Sequence, residues 1–150
     1  MSDSVKHSAF PAYAGTAPYI FISYAHSDSY DVLSVVGELQ REHYRVWYDQ
    51  GILPGSAWDE NVAARLRDSQ CVIAFVSRAY TASANCRDEL SLARSFGKNT
   101  VLVHLDDSPM TPGMRMRYGR LFALFLHSMP EEEFYEKLAS TENIGLTREV

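Results

Sequence analysis

The sequence predicts an α/β fold: a doubly wound, five-stranded parallel sheet with helices on both faces. Short apolar runs alternate five times with segments that carry apolar residues at helical spacing. The run at residues 71–76 is apolar throughout and rich in β-branched residues, as expected of a strand buried on both faces. Parallel strands need crossover connections, and right-handed crossovers place helices on both faces of the sheet.

The secondary structure of the first half of the chain is predicted from hydrophobic periodicity and helix-capping residues. Residues 19–24 are predicted to form the first strand, after which Asp28 or Ser29 can cap a helix. That helix should bury a stripe made of Val32, Val35, Val36 and Leu39. Residues 45–49 form a second short strand. The next helix carries apolar residues at four-residue spacing, namely Trp58, Val62 and Leu66.

The second half begins with the central strand at 71–76. A helix is expected to start at Ser83 or Asn85, with Asp88 and Glu89 in its first turn. Residues 97–99 end that helix, and 100–105 form the fourth strand. Residues 106–120 are expected to be irregular, 121–126 to form the fifth strand, and Pro130 to open the last helix.

The domain organisation follows from composition. Residues 1–18 are short of large aliphatic side chains and are expected to form a flexible leader or linker. Residues 19–140 make one domain, and residues 141–150 are expected to be a frayed tail.

Composition excludes several classes of function. The 150 residues are 46% hydrophobic and carry a formal charge of -5, and no clustered basic footprint for nucleic acid is present. No uncharged apolar run approaches the roughly 20 residues that a bilayer needs, so no membrane partner is expected. Cys71 and Cys86 are expected to be reduced thiols, which favours a cytoplasmic location.

The predicted sheet places a site at one edge. In the flavodoxin-like strand order, the loops after Tyr24 and Ser77 meet at the switch point, where α/β folds bind ligands. Glu89 follows the central strand and therefore lies near this edge. Its alternative role is to favour a helix N-terminus.

Phosphate-loop, phospho-accepting and metal sites are excluded because the sequence lacks the residues or spacing that they require. No strand is followed by a glycine-rich phosphate loop. A phospho-accepting receiver domain needs acidic residues where this chain has Tyr24, Ala25 and Ser77. The five histidines lack metal-ligand spacing, so no metal site is expected. His26, in the first switch-point loop, could touch a ligand, but it is interpreted as a solvated loop residue.

Four motifs in order carry a family resemblance across residues 19–140. They are Phe-Ile-Ser-Tyr at 21–24, a loop with Leu-Pro-Gly at 49–55, Val-Ser-Arg-Ala-Tyr at 76–80 and Ser-x-x-Cys-x-x-Glu-Leu at 83–90. Together they resemble a Toll/interleukin-1 receptor (TIR) domain of the bacterial type. The resemblance implies a flavodoxin-like fold and two recurrent activities, which are homotypic assembly in signalling and cleavage of NAD.

The resemblance implies that this chain is an NAD glycohydrolase. NAD would be its substrate, with no other cofactor, and nicotinamide and linear or cyclic ADP-ribose its products. The family's catalytic glutamate matches Glu89. The expected substrate-binding residues are Ser23, Tyr24, Trp47, Asp49, Ser83, Asn85 and Cys86. The alternative function is that of a non-enzymatic adaptor, which signals by TIR–TIR association.

Two further expectations concern aromatic stacking and assembly. Many similar domains have Trp directly before the motif cysteine, where this chain has Asn85. An aromatic that stacks on the substrate is therefore expected at Tyr24, Trp47 or Trp58. Self-association is expected through a loop with an apolar tip, formed by Ile52, Leu53, Pro54, Gly55 and Trp58.

Overall fold

The computed structural model describes residues 9–50 and 58–149, with Trp58 and Asp59 described as backbone only. Five strands form one sheet: β1 (Ile20–Ser23), β2 (Val46–Tyr48), β3 (Cys71–Val76), β4 (Asn99–His104) and β5 (Phe122–Phe125). All neighbouring strands are parallel, and their order is β2-β1-β3-β4-β5. The predicted five-stranded, doubly wound sheet and its flavodoxin-like order are confirmed.

Helices follow every strand, and all but the last helix belong to connections between consecutive strands. They are α1 (Ser29–Arg41), α2 (Trp58–Asp68), α3 (Arg78–Ala82), α4 (Ala84–Ser95), α5 (Pro112–Tyr118) and α6 (Glu131–Ala139). Short 3₁₀ helices lie at His26–Asp28, Leu126–Ser128 and Ile144–Thr147. No helix within the described ranges has both the length and the apolar character needed to cross a bilayer.

Alternation along each strand sends side chains to opposite faces of the sheet. In β3, Ile73 and Phe75 pack with the apolar sides of α1 and α6. Ala74 and Val76 pack on the other face, against a cluster that includes Leu90 of α4. Each face of the sheet is therefore covered by helices, as the continuous apolar run at 71–76 and the crossover connections predict.

The segment at residues 106–120 contains a helix that the sequence analysis did not predict. Thr111 is the N-cap of α5, and its hydroxyl accepts a hydrogen bond from the Met114 amide at 3.2 Å. Pro112 follows at the first helical position, where its missing N–H has no cost. Met114 and Tyr118 are buried below the helix. The prediction of irregular structure here was wrong, and Thr111 with Pro112 is the local feature that marks the start of this helix.

Both ends of the described chain pack on the domain. The Tyr13 amide donates to the carbonyl of Val46, at 2.9 Å. At the other end, Ile144 and Thr147 are buried, and the Thr147 carbonyl accepts from the Arg45 amide at 2.8 Å. The expectation of a frayed tail was therefore wrong for residues 144–147. The predicted leader likewise contacts the domain at Phe10, Ala12 and Tyr13.

Candidate active site

A cavity of about 620 Å³ lies at the carboxyl edge of the sheet. It is bounded by residues that follow β1 and β2 and by side chains of α2 and α4. Six of the predicted site residues line it, namely Tyr24, Asp49, Ser83, Asn85, Cys86 and Glu89. Its volume is in the usual range for small-molecule sites, roughly 300–1,000 Å³.

Helix α4 positions Glu89. The Ser83 hydroxyl caps this helix by accepting a hydrogen bond from the Cys86 amide at 3.2 Å. The helix starts at Ala84, and its first turn contains no acidic residue. Asp88 and Glu89 therefore lie in the second turn, and their predicted placement in the first turn was wrong. Because the helix dipole acts mainly within the first turn, a helix-end role for Glu89 is disfavoured.

The Glu89 carboxylate is held by a buried hydroxyl. Ser23 is 1% exposed, and its Oγ donates to Glu89 Oε1 at 2.6 Å. The same Oγ lies 2.8 Å from the Tyr80 hydroxyl. Ser23 was predicted to bind substrate, but it lies behind Glu89 and does not line the cavity.

Burial raises the pKa of Glu89 to about 7. The Ser23 hydrogen bond opposes this rise, while the negative charges of Asp49 and Asp88 add to it. Desolvation disfavours the charged form of a carboxyl group, which explains the direction of the dominant effect. Near neutral pH, Glu89 is consequently divided between its ionised and protonated forms.

Asp49 lines the same cavity and contacts two residues that follow β1. The Tyr24 hydroxyl donates to the Asp49 carbonyl at 2.6 Å, and Asp49 Oδ2 lies 3.3 Å from His26 Nε2. The rings of Tyr24 and His26 are tilted, with centroids 5.3 Å apart. His26 is exposed, as expected of a solvated loop histidine, and it also lines the cavity, where it could touch a ligand.

A side-chain hydrogen bond joins the loops that follow β1 and β3. Ser77 Oγ donates to Asp28 Oδ2 at 2.5 Å and accepts from the Tyr80 amide at 3.0 Å. Asp28 precedes α1 but makes no capping hydrogen bond, and the Ser29 hydroxyl bonds instead to the His26 carbonyl. Asp28 is therefore at the N-cap position of α1, as predicted, but its side chain does not form a capping hydrogen bond. The Asp28 carboxylate links two loops of the site.

The structure does not bring Trp47 into the site. Its ring is 8% exposed and stacks on Phe21, with centroids 5.2 Å apart. Both rings pack against Val62 and Leu66 within the core. Of the three aromatics predicted to stack on the substrate, Tyr24 lines the cavity. The Trp58 side chain and the assembly-loop residues Ile52, Leu53, Pro54 and Gly55 lie outside the described residues.

The Cys86 thiol lines the cavity but is nearly inaccessible. Burial raises its pKa to about 11, so the group remains a thiol at neutral pH. A protonated, buried thiol is a poor nucleophile and serves as a small apolar side chain. Within the part of the chain that the structure describes, no group of three or more His, Cys, Asp or Glu side chains is arranged around a metal position.

Comparison with known proteins places this geometry in a family. The family described as "TIR domain" matches residues 20–139. The chain belongs to the TIR domain family. The match spans all five strands of the TIR sheet and the whole cavity.

Solved structures share the TIR fold at low sequence identity. The TIR domain of the Toll-related receptor TRR-2 from Hydra magnipapillata is 16% identical, with a TM-score of 0.65 over 80% of this chain and 94% of that one. A 2-desoxiribosyltransferase from Leishmania mexicana is 14% identical, with a TM-score of 0.52 over 83% of this chain and 99% of that one. No curated protein gives a significant match.

Proposed function

We propose that this TIR domain is an NAD glycohydrolase of the bacterial type. It would cleave the bond between nicotinamide and ribose and release nicotinamide with ADP-ribose or a cyclic product. The observation that carries the proposal is the Glu89 carboxylate, which is partly buried at a cavity of about 620 Å³ and fixed by Ser23.

One fixed carboxylate can meet the demand of this reaction. Glycosidases usually need a second carboxylic acid to protonate the departing oxygen. The nicotinamide of NAD is already cationic and leaves as a neutral molecule, so that proton is not required. Positive charge instead develops at the anomeric carbon of the ribose. An ionised Glu89, preorganised in a partly desolvated cavity, would stabilise that charge.

The cavity has features that suit the substrate's charge and shape. Asp49, Asp88 and Glu89 line it together and would attract the cationic nicotinamide ring. Tyr24 and His26 offer ring faces, and Asn85 supplies an exposed amide at the rim. Cation–aromatic contacts of this kind contribute roughly 0.5–1 kcal/mol at exposed sites and more when desolvated. We therefore assign the nicotinamide end of NAD to this part of the cavity.

The fold is compatible with chemistry at a ribosyl carbon. The Leishmania mexicana protein with this fold is named as a desoxiribosyltransferase. At 14% identity the likeness concerns the fold alone. The proposal therefore stands on Glu89 and its surroundings.

The alternative is a TIR adaptor that acts by association without catalysis.

TIR domains typically associate with one another. We propose that self-assembly through the loop at residues 50–58 activates this enzyme in the cytoplasm. The apolar residues Ile52, Leu53 and Pro54 support a contact role for that loop.

Incubation of concentrated protein with NAD tests the function. Chromatography is expected to show nicotinamide and an ADP-ribose product appearing as NAD disappears. Activity per molecule should rise with protein concentration, and Leu53→Asp with Pro54→Ala should flatten that rise. If light scattering shows that the protein is assembled and still no nicotinamide is released, the adaptor function replaces the enzymatic one.

A further inference from the structure

Behind Glu89 lies a chain of hydroxyl groups that the cleavage reaction does not itself require. Tyr80 is 0% exposed, and its hydroxyl is 2.8 Å from Ser23 Oγ. Ser23 Oγ in turn donates to Glu89 Oε1 at 2.6 Å. The three side chains come from α3, β1 and α4, so the chain crosses the switch point of the sheet.

The direction of these hydrogen bonds follows from the number of protons available. An ionised carboxylate only accepts, so the single Ser23 proton must point to Glu89. The bond between Ser23 and Tyr80 then has to use the phenolic proton. Burial raises the pKa of Tyr80 well above its ordinary value, which keeps that proton in place.

We propose that Tyr80 is a positioning residue that acts on Glu89 through Ser23. By donating to Ser23 Oγ, it occupies the serine's acceptor site and commits the serine proton to the carboxylate. This orients Glu89 Oε1 and favours its ionised form. The consequence for NAD cleavage rests on the proposed function, whereas the effect on the carboxyl group itself does not.

The surroundings of Tyr80 hold its hydroxyl still. The Tyr80 amide donates to Oγ of Ser77, which is the N-cap residue of α3. The Ser77 hydroxyl in turn donates a hydrogen bond to Asp28 across the switch point. The ring packs against Val76 and Leu90 in the core. A donor fixed at its backbone and its ring loses little freedom when it binds Ser23, so it is preorganised for this role.

Titration of Glu89 by carbon NMR tests the proposal without any need for turnover. The carboxyl resonance would be assigned from its loss in Glu89→Gln. Ser23→Ala should raise the Glu89 pKa by about one unit, because a hydrogen bond to a charged group is lost. Tyr80→Phe should raise it by a smaller amount. In the Ser23→Ala background, Tyr80→Phe should produce no further shift, because Tyr80 acts only through Ser23.

Tyr118→Phe is the matched control. Tyr118 is buried in the same apolar cluster as Tyr80, whereas the Ser23 hydroxyl bonds to Tyr80 and Glu89. This variant should leave the Glu89 pKa unchanged. If Ser23→Ala folds poorly because it leaves the Tyr80 hydroxyl unpartnered, the comparison of Tyr80→Phe with Tyr118→Phe still tests whether the Tyr80 hydroxyl, whose hydrogen-bond partner is Ser23, affects the Glu89 pKa.

Two results would overturn the proposal. One is a Glu89 pKa in Tyr80→Phe that equals the wild-type value. The other is a shift of the same size with and without Ser23, which would show that the Tyr80 hydroxyl affects Glu89 independently of Ser23. If the predicted shifts occur in a protein that releases no nicotinamide, the proposed function fails and the positioning role of Tyr80 stands.

Discussion

Glu89→Gln is expected to lower the rate of nicotinamide release from NAD by at least about 100-fold, since one preorganised electrostatic group at a reacting centre contributes roughly 10²–10³ in rate. The amide has nearly the same size as the carboxyl group and can still accept from Ser23. It lacks the negative charge that would stabilise the ribosyl cation. The rate should be measured at saturating NAD and equal protein concentration. Glu136→Gln, an exposed change on α6, should keep the wild-type rate.

The stability of the variant separates a catalytic loss from a folding defect. The pKa of Glu89 is raised from an ordinary 4.5 to about 7 in the folded protein, so the folded state holds this proton more tightly than the unfolded state. Its stabilising contribution is complete below about pH 4.5 and is lost as the pH rises through 7. At pH 8 the buried charge costs up to about 3 kcal/mol, and Glu89→Gln should be at least as stable as wild type. Full turnover by a folded Glu89→Gln would show that the carboxylate does not carry the reaction.

Ile144→Ala is expected to lower the free energy of unfolding by about 2–5 kcal/mol. Ile144 is 1% exposed and lies in the core cluster with Phe134 and Leu138 of α6. Removing its side chain loses buried apolar area and leaves a cavity under the C-terminal 3₁₀ helix. Urea denaturation followed by circular dichroism would measure the change.

Leu146→Ala is the control for this prediction. Leu146 belongs to the same 3₁₀ helix but is 56% exposed, so its truncation should change stability by no more than about 0.5 kcal/mol. Equal effects of the two substitutions would mean that the C-terminal segment does not pack as described.

Periodicity was sufficient to predict the sheet and its main helices. The predicted stripe of α1 is buried, and the 71–76 run forms β3 with the expected bounds. These elements carry strong repeating patterns because their faces are buried against the sheet. Helix α5 was missed because it is a short helix with only Met114 and Tyr118 buried, which leaves little periodic signal.

Contacts distant in sequence explain the other differences. Ile144 looks like part of a polar tail in sequence, but its packing against α6 depends on the tertiary fold. No sequence feature shows whether Trp47 stacks on a substrate or packs in the core. In the structure its ring stacks on Phe21, its neighbour on β1, and is therefore part of the core. The Ser23–Glu89 bond joins residues 66 positions apart. A motif could suggest each residue, but not the bond between them.

The central claim is that the ionised Glu89 carboxylate supports NAD cleavage, and a pH profile tests it most directly. The ratio kcat/KM, measured between pH 5.5 and 9, reports ionisations of the free enzyme. It is expected to rise with pH through one ionisation with a midpoint near 7, because burial raises the pKa of Glu89 to about 7 and the charged form is the active one. The same midpoint should appear when the Glu89 carboxyl resonance is titrated by NMR. A flat profile, or a midpoint that does not coincide with the Glu89 titration, would contradict the account.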